Sequence, residues 1–303
     1  MIVVAGEALI DLVPQGPGAL AALKPAPGGG PYNTALALGR LGSPTAFCSR
    51  TSYDAFGEAL LDGLRRAGVE VAGVQRGPEP TTLAVATIDG DGSASYSFHV
   101  DGTADRLFTA PASLPAETRA VSFGTLSLVL EPGASAYEEL MRRAAGQGLF
   151  TALDPNIRAG LIPDADAYRA RFASWLPWVT LLKVSAEDAA WLGGTPREWL
   201  AEGPSAVVVT RGGEGLTVYT RDGGECSVPG EKVDVVDTIG AGDTVNAALL
   251  HALSALDALS REALAALGTE GWARLLRFAA RAAAITCSRA GAEPPYADEL
   301  GDV

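Results

Sequence analysis

The sequence predicts an α/β fold: a mostly parallel sheet covered on both faces by helices, a three-layer arrangement. Three observations carry this. Short apolar runs alternate with segments of helical periodicity from about residue 119 onward, the rhythm of repeated βαβ units. Glycine is abundant, 36 of 303 residues, as many tight βα turns require. The chain is 48% apolar, so one large domain has a sizeable core available.

Each element follows in order. Ile2–Ala5 reads as a buried strand, then Gly6-Glu7 and a second apolar stretch ending at Asp11. Residues 14–30, rich in Pro and Gly, predict no regular core element. From Asn33, Ala35, Leu36, Leu38 and Leu41 recur at helical spacing, closed by Gly39 and Gly42. Ala55–Ala67 reads as a helix ended by Gly68. Leu83, Val85 and Thr87 alternate with Ala84, Ala86 and Ile88, and Ser95–Val100 resumes after Asp89-Gly90-Asp91-Gly92. That predicts a β-hairpin with Asp-Gly turn chemistry, a small β appendage on the α/β body. Strands are then expected at Ala120–Phe123, Thr151–Leu153, Val179–Val184 and Ala206–Val209, with helices over Tyr137–Ala145, Ala165–Trp175 and Glu187–Leu192. Near the C-terminus a strand from Val233 leads into Asp237, and a long Ala/Leu helix follows Asp243.

Charge narrows the function. A formal net charge of −13, with no cluster of Lys/Arg, argues against nucleic-acid partners and anionic membrane surfaces. Cys48, Cys226 and Cys287 lack the spacing of a disulfide framework or zinc site. No basic n-region precedes the apolar start, and nothing approaches the roughly 18 apolar residues of a membrane span, so a cytoplasmic protein is expected.

Two glycine-rich segments carry the chemistry. In Asp237-Thr238-Ile239-Gly240-Ala241-Gly242-Asp243 the glycines let successive N–H groups converge at a helix start, which forms an anion site. A carboxylate at Asp243 makes sense there if a hydroxyl must lose a proton as a phosphoryl group arrives. A glycine turn with an Asp N-cap fits the same residues. Gly28-Gly29-Gly30-Pro31-Tyr32-Asn33 also opens a helix, and Asn33 can both donate to and accept from hydroxyls. It is no dinucleotide fingerprint, and none of the three lysines stands in a P-loop context, which excludes P-loop chemistry.

In this order, about 200 residues apart, the two segments resemble the signatures of the PfkB, or ribokinase-like, carbohydrate kinase family. Gly6-Glu7 with Asp11, Asp154-Pro155-Asn156-Ile157-Arg158, Thr210-Arg211-Gly212-Gly213-Glu214-Gly215 and Arg289-Ala290-Gly291-Ala292 extend the likeness over nearly the whole chain. The resemblance implies one ribokinase-like domain over residues 1–303, an αβα sandwich with β lid insertions at about 12–27 and 81–105. It implies ATP and Mg²⁺ as cofactors, with K⁺ in a monovalent-cation site, and pairing of two subunits through the lid. Asp243 stands where the family has its general base, and Gly240, Ala241 and Gly242 where it has its anion hole. Asp11, Gly28, Gly29, Asn33, His99 and Arg158 fall at sugar-side positions, and Ser185, Thr210, Gly212, Gly215 and Ala280 at nucleotide positions. Asp188 would reach Mg²⁺ through water. Asp237, Ile239, Thr286, Arg289 and Gly291 match the cation site. For Arg158 alone, a helix cap or a pair with Asp164 is the competing reading.

The chain departs from the pattern at Lys183-Val184-Ser185-Ala186-Glu187-Asp188, where ribokinases have N-x-x-E, so Ser185 and Asp188 replace Asn and Glu, with Glu187 an alternative carboxylate. Phe98-His99-Val100-Asp101-Gly102-Thr103-Ala104-Asp105 is similar to F-Y-R-x-G-x-A-D of fructokinases and 2-keto-3-deoxygluconate kinases. The arginine that meets a substrate carboxylate is Val100 here, which favours a neutral sugar, fructose first. The alternatives are a 2-keto-3-deoxygluconate kinase, a kinase for another sugar or a nucleoside, and a non-catalytic sugar or nucleotide sensor on the same scaffold.

Overall fold

The computed structural model describes residues 1–303 apart from Pro17, Ala19, 89–93 and Asp302. The chain opens with β1 (Ile2–Ala5), β2 (Leu9–Pro14) and β3 (Leu23–Gly28), then α1 (Gly30–Arg40) and β4 (Thr45–Cys48). The short strands β5 (Arg50–Ser52) and β6 (Gln75–Gly77) flank α2 (Ala55–Arg66), and β7 (Leu83–Ile88) pairs antiparallel with β8 (Ala94–His99). The expected Asp-Gly turn between β7 and β8 lies outside the described residues. Alternation follows: β9 (Ala120–Gly124), α3 (Gly133–Gly146), β10 (Phe150–Asp154), α4 (Ala165–Trp175), β11 (Leu181–Ser185), α5 (Ala186–Leu192), α6 (Pro196–Glu202) and β12 (Ala206–Thr210). Two antiparallel strands, β13 (Leu216–Thr220) and β14 (Glu225–Val228), precede α7 (Ala241–Ala255), α8 (Arg261–Ala266), α9 (Gly268–Cys287) and α10 (Ala297–Leu300).

The central sheet runs β14-β13-β12-β11-β10-β9-β1-β4. Side-chain alternation splits each strand between two cores. Ile2 and Val4 pack with residues of α1, α2, α7 and α9, whereas Val3 and Ala5 share the opposite core with Leu140 and Met141 of α3, Phe172 of α4 and Trp199 of α6. The strand order reverses between β1, which leads to β4, and β9, which leads the other way to β12. Such a switch point opens a crevice at the carboxyl ends of the strands.

A second sheet, β3-β2-β7-β8, stands beside that crevice because β2 follows directly on the carboxyl end of β1. Over 14–30, where composition predicts no regular core element, the strand that forms belongs to this small sheet and lies outside the core. Residues 23–28 form the edge strand β3, largely exposed, where Pro25 and Pro27 cost no ladder bond to a further strand. The helix expected from Asn33 starts at Gly30, with Pro31 in its first turn, where its missing N–H is harmless. The strand expected at Val233 is absent. Val235 and Val236 are each 63% exposed, and the N–H groups of Val236 and Asp237 bond to the Cys287 carbonyl at the end of α9 rather than to a strand. Among the described residues no helix is long and apolar enough to cross a membrane.

Candidate active site

Asp243 is the third residue of α7, and the cap reading is corrected: Gly240 holds the N-cap position with φ 76°, and no side chain caps the helix. That left-handed backbone suits glycine and turns the chain sharply into the helix. The Asp243 carboxylate, 7% exposed, accepts from Asn33 Nδ2 at 2.8 Å and more distantly from Asn156 Nδ2 at 3.5 Å. Burial pushes its pKa up to about 6, opposed by the Asn33 bond. Asp154 pushes the same way as burial, and Lys183 and Arg158 oppose it.

Among the described residues the N–H groups of Gly240, Gly242 and Asp243 have no acceptor in the chain, while Ala241 N–H bonds to the Thr238 carbonyl at 3.3 Å. Three free donors at the start of a 15-residue helix make an anion site. A Cβ on Gly242 would stand 3.0 Å from Lys183 Nζ, so the lysine would have to give way by a few tenths of an ångström. Lys183 is buried, with its ammonium 2.8 Å from Asp154 Oδ2, so an ion pair from β10 and β11 lies under the glycine loop.

The crevice holds a cavity of about 450 Å³, of a size for a small-molecule ligand. Asp11, Gly29, Asn33, Arg158 and Asp243 all face it. Burial lifts the Asp11 carboxyl to about 6, with Arg158 the opposing charge. Gly28 does not line the cavity, but a side chain there would collide with the Asp11 carboxylate. The Arg158 side chain caps no helix C-terminus and does not pair with Asp164; its Nη1 donates to Asn156 and to the Ile157 carbonyl. His99 is corrected by strand alternation: it is exposed and outside the cavity lining, while Tyr96 and Phe98 line it as a stacked pair 6.2 Å apart.

Sequence reasoning missed several residues. Glu7, in the cavity wall, is fully buried with one oxygen accepting from Ser127 N–H, and burial pushes it up to about 7. Thr125 (φ 62°) and Asn156 (φ 42°) line the cavity in left-handed conformations, which asparagine tolerates and a β-branched threonine rarely adopts. The only advance signal was the position of Glu7, Asn156 and Lys183 inside quoted motifs.

The pfkB family carbohydrate kinase profile matches residues 1–299. The chain belongs to that family. It is 39% identical over 280 residues to a fructokinase of Rhizobium leguminosarum bv. trifolii, covering 88% of this chain and 84% of that one. Fructokinase-2 of Oryza sativa subsp. japonica is 34% identical, covering 97% and 90%. A crystal structure of fructokinase with bound ATP from Xylella fastidiosa superposes with a TM-score of 0.89 at 30% identity, over 99% of this chain and 96% of that one. The fold is ribokinase-like, and the chain is an ATP-dependent sugar kinase.

In this PfkB kinase the expected nucleotide and cation residues fall into two groups. Ser185 and Thr210 are register partners at the carboxyl ends of β11 and β12, and the Gly212–Gly215 turn follows. Ser185 and Asp188 form a capping box on α5, and Asp188 also accepts from Ile157 N–H at 2.8 Å. Both Asp188 oxygens thus hold backbone, with lone pairs left for water. Ala280 lies within α9 and is 6% exposed. Asp237 accepts from Ile239 N–H and Gly291 N–H, which ties the loop before α7 to the one after α9. The Thr286 hydroxyl is buried against Thr244 inside the helix pair, and Arg289 pairs with Glu299 outside, so any cation contact from these two falls to their carbonyls.

Proposed function

We propose that the chain phosphorylates fructose, with Asp243 taking the proton from the accepting hydroxyl. One observation carries the reading: a buried carboxylate and the free N–H groups of a helix start face the same cavity, which also holds Asp11, Asn33 and Arg158. A base beside an anion site is what phosphoryl transfer to a hydroxyl needs. The hydroxyl oxygen attacks the γ-phosphorus in line as the bond to the β–γ bridging oxygen breaks and ADP leaves, the hydroxyl proton passes to Asp243, and charge on the transferred group meets the Gly240, Gly242 and Asp243 N–H groups, with the Lys183–Asp154 pair beneath. Mg²⁺, bound with the nucleotide, would neutralise the β- and γ-phosphate oxygens, and Asp188 is the carboxylate proposed to meet it through water. The loop tied by Asp237 and Gly291 is the proposed K⁺ site, so turnover should rise when K⁺ replaces a large organic cation. Pairing of two copies through the small sheet is a further proposal, tested by sedimentation.

Fructose is supported by the names of the relatives and by Val100, whose carbonyl accepts from Arg106 and Thr103. Arg106 itself is held by Glu131 and Asp101, away from the cavity. A sugar-acid substrate is favoured by one feature, Arg158 facing the cavity. The test compares kcat/KM for fructose and 2-keto-3-deoxygluconate in an ADP-release assay. Fructose is expected ahead, and the reverse order refutes the fructose reading.

A further inference from the structure

Against the sugar cavity lies a much smaller chamber of about 10 Å³ that shares Gly30, Thr125 and Asp243 with it and is closed by Ser122, Asp154 and Asn246. Two of its wall residues carry buried acceptors without a partner among the described residues: Asp154 Oδ1 and Asn246 Oδ1, on residues 5% and 3% exposed. The opposite atoms of the same groups are engaged. Asp154 Oδ2 holds Lys183 Nζ, and Asn246 Nδ2 donates to Ser122 Oγ at 3.1 Å, leaving the serine's own proton for another acceptor.

We propose that this chamber binds one water molecule, which donates to Asp154 Oδ1 and Asn246 Oδ1, accepts from the Ser122 hydroxyl, and separates the charges of Asp154 and Asp243. The volume is that of about one probe sphere, the least that admits a water, and three partners is the ordinary complement of a buried one. Val4, Pro31 and Phe123 add apolar wall, with Thr34 and Gly124 completing it, and the volume leaves no room for a larger ligand. Buried acceptors left unpaired are costly, and this single occupant satisfies both.

The water acts on Asp243 through charge. The charged groups around that carboxylate are Asp154 from β10, Lys183 from β11 and Arg158, with Glu7, Asp11 and Asp237 across the sugar cavity. Asp154 favours the protonated form of Asp243, and Lys183 and Arg158 favour the ionised form. A water hydrogen-bonded to Asp154 Oδ1 screens the unfavourable neighbour, so it keeps the base ionised to lower pH. The water site stands by itself; its effect on turnover rests on Asp243 being the base.

Asn246→Leu keeps the side-chain size and removes the acceptor, and Ser122→Ala removes the donor while leaving the chamber open. High-resolution diffraction from the unliganded protein is expected to give a density peak within hydrogen-bonding distance of Asp154 Oδ1 and Asn246 Oδ1, absent in Asn246→Leu. The acid limb of kcat/KM should move up by about half a pH unit in that variant, a rate loss of about threefold on the limb, with the sugar KM within about twofold. If Asn246→Leu does not fold, Ser122→Ala is expected to weaken the peak and shift the limb in the same direction. An empty chamber in the wild type overturns the proposal, and so does loss of the water with an unmoved limb. A peak in a protein with no sugar-dependent ATP turnover supports the water site and rejects the kinase reading of Asp243 instead.

Discussion

Two helices of this kinase begin alike and end up with different tasks. α1 and α7 each follow a glycine-rich loop, each has an N-cap glycine with positive φ (Gly29 at 103°, Gly240 at 76°), and neither has a side-chain cap. They pack against each other and deliver their first turns to one cavity. The difference lies beneath the loops. A side chain at Gly29 would run into the Glu7 carbonyl, a neutral backbone group, whereas one at Gly242 would meet the Lys183 ammonium. The first turn of α1 carries no acid; that of α7 carries Asp243. On the proposed function, one backbone device holds a ligand where it rests on neutral chain and handles charge where it rests on an ion pair.

The largest test of that contrast is Asp243→Asn. Asparagine still accepts from Asn33 but cannot take a proton, so kcat is expected to fall at least about 100-fold with KM little changed. Stability should move the other way. Burial raises the Asp243 pKa from 3.8 to about 6, so the folded form favours the protonated acid. Its stabilising contribution is complete below about pH 3.8 and is lost as pH rises through about 6. The variant should therefore melt higher than the wild type at pH 7.5 and gain less at pH 4. Normal turnover by the folded variant would remove Asp243 from the mechanism. Lys183→Met comes next: it strands the buried Asp154 carboxylate, at a cost of about 3–5 kcal/mol, and Lys183→Met with Asp154→Leu should recover much of it. A denaturant melt giving equal stability for single and double variants would show that the pair does not underpin the α7 loop.

On the α1 side the effects should be smaller. Asn33→Ala removes a charge-assisted donor worth about 1.5–3 kcal/mol, predicting a kcat/KM loss of about 10- to 100-fold and an acid limb moved to higher pH. A loss equal to that of Asp243→Asn would erase the distinction between the two helix starts. Smallest is the small-sheet pair. Phe98→Ala should raise the fructose KM about tenfold through lost apolar contact, while His99→Ala stays within about twofold. Equal effects would mean that both faces of β8 touch the sugar.

The glycine loops were legible because backbone geometry forces their composition, and the parallel strands because burial on both faces makes them continuous apolar runs. Lys183 was not legible as a partner of the loop: its contact with Gly242 spans 59 residues of sequence (242 − 183) and depends on how β11 meets α7. His99 stood one residue from the correct position, an error that period-two alternation turns into the wrong face of the strand. Val235 and Val236 have strand composition, yet the carbonyl at the end of α9 captures the adjoining N–H groups, which no local pattern announces.

Asn33 and Asp243 are bonded across 210 residues of chain, and the helices that bear them cover each other's apolar faces. During synthesis at about 5–20 residues per second, Ala35 and Leu38 of α1 wait roughly 10–40 s before Leu249, Leu250 and Leu253 of α7 emerge. For that interval α1 has its early neighbours β1, α2 and β4 but lacks the cover that α7 gives, and a chain halted before residue 241 lacks it permanently. The Asn33–Asp243 bond can therefore form only once residue 243 has emerged and α7 can close over that face.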